Sequence, residues 1–309
     1  MSWFKLIRWK NLLIIFLTQL LVWWCVILPL KPEILNAVNF FILSISTLLI
    51  AASGYIINDY FDIKIDIINR PQKVVLGKSI KRRTAIIIHT LLNFIAILLA
   101  SYLALKQHNY FLPVVQLFCT FLLWYYSTRF KRQYMIGNIV VSVLTALTIV
   151  ILLCYEPVFL KVINASLYGS NILQTSIPFW VLIVYAYFAF MLNWIREIVK
   201  DIEDIKGDLE EGCNTMPIKM GIMYSVKFIH VLVLLVFSPL LYASFFLFRH
   251  HYLLFSVYVF FILALPIIAW SLKLNKSNAT LDFQRASRGL KIIMVLGVVS
   301  IIIYYLQSV

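Results

Sequence analysis

Acidic residues are scarce in this chain: 13 Asp and Glu stand among 309 residues, against 27 Lys and Arg. Cysteine is scarcer still. The four present (Cys25, Cys119, Cys154, Cys213) lack the paired spacing of a zinc site or a disulfide framework, and three lie in apolar runs, where they read as small buried hydrophobes. The five histidines (His89, His108, His230, His250, His251) show no metal-ligand spacing, and no Ser/His/Asp arrangement is legible, so hydrolytic nucleophile chemistry has no evident carrier. Gly/Ser linkers and low-complexity tracts are absent, which points to one domain over residues 1–309. The net charge of +14 would suit a nucleic-acid partner, but no nucleic-acid module is visible.

What the chain does have is apolar length. It is 62% hydrophobic with a mean hydropathy of +0.92, too apolar for a soluble fold of this size. Runs of about 18 or more apolar residues are the mark of transmembrane helices. Nine can be drawn, at roughly 11–30, 36–57, 84–105, 110–126, 135–154, 177–199, 225–248, 252–272 and 289–307, the fourth being the shortest. None alternates as a membrane β-strand would. The expected fold is therefore all-α, a polytopic bundle of nine transmembrane helices. The first run follows Lys5, Arg8 and Lys10 but lacks a small-residue cleavage site before Lys31, so it reads as a retained helix rather than a signal peptide. Nine spans put all but four of the Lys and Arg (Lys31, Lys106, Lys161 and Arg249) on one side. The positive-inside rule makes that side cytoplasmic, with the N-terminus there and the C-terminus outside, in a bacterial or archaeal cell membrane.

The few acids are not scattered. Ten of the 13 fall within 59–66 and 197–211, and each stretch carries the same spacing: Asp59, Asp62 and Asp66, then Asp201, Asp204 and Asp208. Offsets of three and seven place each trio within about a 60° arc of a helix, on one face. Both trios follow an apolar run, the second and the sixth, where carboxylates oppose the helix macrodipole and adjoin low-dielectric lipid. Each also opens one of the two longest polar connections, 58–83 and 200–224. The recurrence hints at a parallel duplication of four-helix units, spans 1–4 and 5–8, with span 9 appended. Three like charges on one face need a cation, and Mg²⁺ suits them: it takes one or two carboxylates and completes its octahedron with water and substrate phosphates. Asn58 offers a neutral carbonyl ligand on the same face. Lys64, Arg70, Lys73 and Lys78 accompany the first trio, and Arg196, Lys200 and Lys206 the second, as a group suited to phosphate oxygens. A diphosphate substrate at the cytoplasmic membrane surface is the expectation.

These residues resemble the UbiA superfamily of intramembrane prenyltransferases, whose marks are N-D-x-x-D-x-x-x-D after the second of nine helices and D-x-x-x-D after the sixth. Here they read Asn58-Asp59-Tyr60-Phe61-Asp62-Ile63-Lys64-Ile65-Asp66 and Asp204-Ile205-Lys206-Gly207-Asp208. The resemblance extends to Asn69-Arg70-Pro71, to Tyr126-Ser127 with Arg129 and Lys131, and to Arg8 with Asn11 before the first span. It implies that Asn58, Asp62, Asp66, Asp204 and Asp208 hold Mg²⁺, two ions in all, on a prenyl diphosphate, with Asp59 and Asp201 supporting or sharing that coordination. It further implies that Arg70, Lys73 and Lys131 face the diphosphate and that Tyr126 stabilises the allylic cation. Ser127, Arg129, Arg8, Asn11 and Lys200 complete the implied substrate-binding set. The chain departs from its relatives at Gln72-Lys73-Val74-Val75-Leu76-Gly77, where a second basic-proline pair is usual; Lys73 keeps a charge but loses the fork of an arginine.

Within that superfamily, the segment from Arg196 to Asp208 resembles most closely the branch that makes digeranylgeranylglyceryl phosphate, and the homogentisate prenyltransferase branch has a similar one. The implied acceptor is thus geranylgeranylglyceryl phosphate, a lipophilic partner met in the membrane, with an aromatic quinone precursor as the alternative. A cation transporter is a third reading, disfavoured because the acids sit at span ends beside Lys and Arg rather than at the bilayer midplane.

Overall fold

A computed structural model describes residues 2–72, 74–106, 108, 110, 112–159, 173–274 and 280–308, with the side chains of 173–176, 280 and 308 left aside. The regular elements among the described residues are all helices, with no strand beyond an isolated bridge between Leu76 and Ile80. The long helices are α1 (Trp9–Val22, carried on to Leu30 by a π turn and a 3₁₀ turn), α2 (Ala37–Phe61), α3 (Arg82–Lys106), α4 (Leu112–Thr128), α5 (Ile136–Cys154), α6 (Leu173–Glu203), α7 (Met216–Arg249), α8 (Leu253–Leu274, with a π turn at Val259–Ala264) and α9 (Thr280–Ser308). Among the described residues eight are long and apolar enough to cross a membrane, and α4, at 17 residues, is apolar but shorter. The expectation of nine spans is therefore met by eight, with the fourth run forming the shorter helix. A lipid core leaves backbone polar groups no water, so helices of this length satisfy them internally.

The described chain divides into two compact units, Met1–Lys131 with Val143–Ala186, and Arg132–Ser142 with Tyr187–Val309; the boundaries fall inside α5 and α6 as well as after Lys131. In the first unit α2 packs against α3 and α4. Lipid supplies no hydrophobic drive between helices, so small residues and interhelical hydrogen bonds hold them. Ser46 Oγ donates to the Ala96 carbonyl at 2.7 Å, and Gln116 Nε2 donates to Ser46 Oγ at 3.0 Å. Gln19 joins α1 to Ser44 (2.7 Å) and to the Thr148 carbonyl (2.8 Å). At Gly54 the approach of α4 is close enough that a Cβ would lie 2.9 Å from the Leu123 side chain. The turn before α2 is pinned by buried Glu156, which accepts the backbone N–H groups of Glu33, Ile34 and Leu35 at 2.9, 3.2 and 2.9 Å.

In the second unit a core of Ile195, Ile198 and Ile202 from α6 meets Ile229, Val233 and Val236 from α7, Ile267 from α8 and Leu290 from α9. Helix α7 begins at Met216, nine positions before the apolar run drawn from sequence, with Pro217 in its first turn, where its missing N–H costs nothing. Gly221 interrupts it with φ 82 and ψ 159, a conformation that only glycine adopts readily.

Candidate active site

Neither aspartate trio lies on one unbroken helix. Asp62 stands between the end of α2 at Phe61 and a short helix Ile63–Asn69, with φ −89 and ψ 2. Asp204 occupies the same place between the end of α6 at Glu203 and Ile205–Glu210, with φ −96 and ψ 5. Both backbones lie in the sparsely populated bridge region, where active-site residues often sit. Hydrogen bonds still run across each break: Asp66 N–H donates to the Asp62 carbonyl at 2.8 Å and Asp208 N–H to that of Asp204 at 3.2 Å. The straight-helix geometry expected from the spacing is thus corrected to a bend at the middle aspartate, repeated in both copies.

In the first unit the acids already have company. Asp62 is only 4% exposed, and its Oδ2 accepts both Asn58 Nδ2, at 2.7 Å, and the Lys131 ammonium. Asn58 Oδ1 is buried without a hydrogen-bond partner. Arg8 Nη2 pairs with Asp59 Oδ1 at 2.7 Å, and its guanidinium lies 5.1 Å from the centre of the Tyr55 ring. Asp66 lies beyond the end of α2; burial first, then the charges of Asp62 and Asp59, push its carboxyl up to about 6, against the opposing pull of Lys131 and Arg8. Arg70 ends the short helix, its N–H on the Asp66 carbonyl at 2.8 Å. Lys78, by contrast, turns back to the Pro71 carbonyl at 3.0 Å, which closes the 70–81 loop on itself. Lys73 lies outside the described residues.

Of the remaining expected residues in this unit, Arg8 is the left-handed residue before α1 (φ 50), and Asn11 donates its N–H to the Arg8 carbonyl at 2.7 Å. Tyr126 is half-buried on α4, and Arg129, just past its end, is exposed. Ser127 is buried, and its hydroxyl is spent on its own helix, donating to the Leu123 carbonyl at 2.9 Å.

In the second unit Asp208 is buried and Asp201 half-buried. Asp201 Oδ2 accepts Asn138 Nδ2 at 2.8 Å, and Asn138 is itself only 6% exposed. Buried Glu197 accepts Lys200 Nζ at 2.7 Å and Arg196 Nη1 at 3.2 Å. After Asp208 the chain turns at Gly212 (φ 68), and Asn214 N–H donates to the Arg132 carbonyl at 2.8 Å before α7 begins. Asn138 and Glu197 belong to the acid cluster's surroundings but were missed as site residues. A signal existed for Asn138: a lone amide in the apolar run 135–154 is costly in lipid unless something uses it.

The donor set is one a hard divalent cation would take, carboxylates together with the orphaned carbonyl oxygen of Asn58. Among the described residues no three Asp, Glu, His or Cys side chains are gathered into a ready-made metal cage.

Carboxylate trios at the ends of apolar helices, each with lysine and arginine at hand, define an integral membrane protein equipped for an anionic substrate. A family model for the UbiA prenyltransferase family matches residues 20–295, and the chain belongs to that family. It is 30% identical over 262 residues to a digeranylgeranylglyceryl phosphate synthase of Methanosphaera stadtmanae, covering 83% of this chain and 84% of the other. It is 32% identical over 221 residues to the synthase of that name from Sulfurisphaera tokodaii, covering 71% of each. Among solved structures, one of a digeranylgeranylglyceryl phosphate synthase superposes with a TM-score of 0.64 at 23% identity, over 99% of this chain and 98% of that one. A UbiA homolog from Archaeoglobus fulgidus, bound to DMAPP and Mg²⁺, gives 0.60 at 14% identity, over 97% and 99%. The protein is a multi-pass membrane prenyltransferase.

Proposed function

We propose that this prenyltransferase moves a geranylgeranyl group from its diphosphate to the hydroxyl of geranylgeranylglyceryl phosphate. The observation that carries the site assignment is the Asn58–Asp62 pair, a buried carboxylate beside an orphaned carbonyl oxygen at the bend that both trios share. The acceptor is supported by the names of the relatives. Asn58, Asp62 and Asp66, and Asp204 and Asp208, supply oxygen ligands for Mg²⁺, two ions in all, with Asp59 and Asp201 in support. Bound Mg²⁺ would neutralise the diphosphate oxygens on which charge grows as the allylic C–O bond breaks.

The chain's own residues do the rest. Lys131, Arg70 and Lys73 hold phosphate oxygens that the metal leaves, and Lys200 and Arg129 add positive charge to the substrate region. Arg8 orients Asp59, and Asn11 lies one turn beyond it at the start of α1. Tyr126 presents its ring to the allylic carbon. The acceptor hydroxyl oxygen forms the new C–O bond, and its proton passes to the departing diphosphate. Apolar helices exclude the water that would otherwise capture the cation. We further infer a single domain over residues 1–309, with a four-helix duplication behind the bend that each trio carries, and a cytoplasmic N-terminus and site loops in a prokaryotic cell membrane.

Purified protein in detergent with labelled geranylgeranyl diphosphate tests this directly. Geranylgeranylglyceryl phosphate should be prenylated, EDTA should stop the reaction, and Mg²⁺ should restore it. Transfer to aromatic acids in its place would move the protein to a quinone pathway, and absence of diphosphate release with every acceptor would favour ion transport.

A further inference from the structure

We propose that Lys131 is an exchangeable counter-ion, which neutralises Asp62 when no metal is bound and passes to a diphosphate oxygen when metal and diphosphate arrive together. The inference rests on the metal role assigned to Asp62 above. Asp62 is almost fully buried, and a buried carboxylate without a cation is strongly unfavourable. In this structure Lys131 supplies the charge and Asn58 Nδ2 a second donor, both on Oδ2. A divalent cation coordinated there would meet the ammonium at contact distance, where like charges in a partly dry site repel strongly. Metal and lysine therefore exclude one another at that oxygen.

The two cations of the first trio are built differently. Arg8 grips Asp59 with a planar guanidinium lying against Tyr55, a fixed arrangement. Lys131 reaches Asp62 from the short turn Phe130–Arg132 that follows α4, as a point charge on a flexible stem. The difference between the two lies in that stem and in the ring against Arg8, since the Arg8 side chain is the more exposed of the pair, 35% against 24%. Asn58 Oδ1, buried without a partner beside the same carboxylate, is the ligand the incoming metal would claim. Free metal must expel Lys131 to water, whereas metal arriving with diphosphate offers the ammonium a phosphate oxygen, a stronger charge-assisted partner. Metal and diphosphate binding are then positively coupled through one lysine, and by linkage each strengthens the other.

The test is Mn²⁺ binding followed by electron paramagnetic resonance on the full-length protein in detergent, with and without inorganic pyrophosphate. Wild type should bind Mn²⁺ weakly alone and at least about tenfold more tightly with pyrophosphate. Lys131→Met should tighten Mn²⁺ alone by on the order of tenfold while losing a similar factor of the pyrophosphate effect. Lys131→Arg, which keeps the charge, should bind Mn²⁺ alone no better than wild type, and Asp62→Asn should weaken binding under all conditions. Lys131→Gln is read in the same way should the methionine variant fail to fold. If Lys131→Met and Lys131→Gln bind Mn²⁺ alone no more tightly than wild type, while wild type binds it with pyrophosphate, the exchange is wrong and the metal site stands. If wild type binds no Mn²⁺ even with pyrophosphate, the site assignment falls and the exchange with it.

Discussion

Asp62→Asn separates what this carboxylate does for the reaction from what it does for the fold. The amide keeps the size and one acceptor oxygen, so Asn58 Nδ2 retains a partner, but the charge opposite Lys131 is lost. A buried ion pair broken on one side typically costs about 3–5 kcal/mol. Lys131, however, is a quarter exposed and can turn to water, so the stability loss should shrink to about 1–2 kcal/mol. The reaction has no such relief. Removing one group that stabilises developing charge costs roughly 3–4 kcal/mol of barrier, or about 10²–10³ in rate. The double variant Asp62→Asn/Lys131→Met should recover most of the lost stability, because the stranded ammonium is gone, and none of the lost rate. Unfolding in detergent and labelled prenyl transfer measure the two quantities on the same preparation. Turnover in Asp62→Asn above about a tenth of wild type would refute the metal role. A double variant no more stable than the single one would refute the ion-pair analysis.

Three further expectations follow from other parts of the molecule. Asn138→Ala removes the amide donor to Asp201 Oδ2 and should slow transfer about tenfold and raise the Mg²⁺ requirement, whereas Asn138→Asp, a like charge beside Asp201, should be worse; equal activity in all three proteins would leave Asn138 a packing residue. Asp66, with its carboxyl held up to about 6, binds its proton more tightly folded than unfolded, so this group's contribution to metal-free stability is full at low pH and is lost as pH rises through about 6. Mg²⁺ should reverse that loss, its affinity should fall as pH drops below about 6, and Asp66→Asn should flatten both trends in a pH series of melting curves. Gly54→Ala should cost about 1 kcal/mol, since the flexible Leu123 side chain can shift from the added Cβ, and Gly54→Val should cost several times as much; equal melting temperatures would mean that α2 and α4 are less tightly apposed than the structure has them.

Much of the site was legible along the chain because its signals are local. Carboxylates are rare in an apolar chain, and two trios of one spacing declare themselves by contrast with their surroundings. Their basic neighbours, Arg70, Lys200 and Arg196, lie close by in sequence. The bends at Asp62 and Asp204 were not legible: the period of an α-helix was the right local expectation, and departure into the bridge region leaves no mark in residue type. The local bond of Ser127 was not legible either: its place beside Tyr126 matches a motif, and only the structure shows its hydroxyl donating to the carbonyl one turn back.

By itself, then, the sequence determined the class of the protein and the identity of its chemical groups. Apolar length dictates membrane helices because backbone polar groups cannot go unsatisfied in lipid, and clustered aspartates dictate a cation because like charges repel. Only the tertiary structure decided which donor answers which acid. Arg8 on Asp59, Lys131 on Asp62 and Asn138 on Asp201 join residues 51, 69 and 63 positions apart. Those pairings depend on how helices pack and where their ends fall, and a carboxylate's strength as a ligand depends in turn on what already holds it.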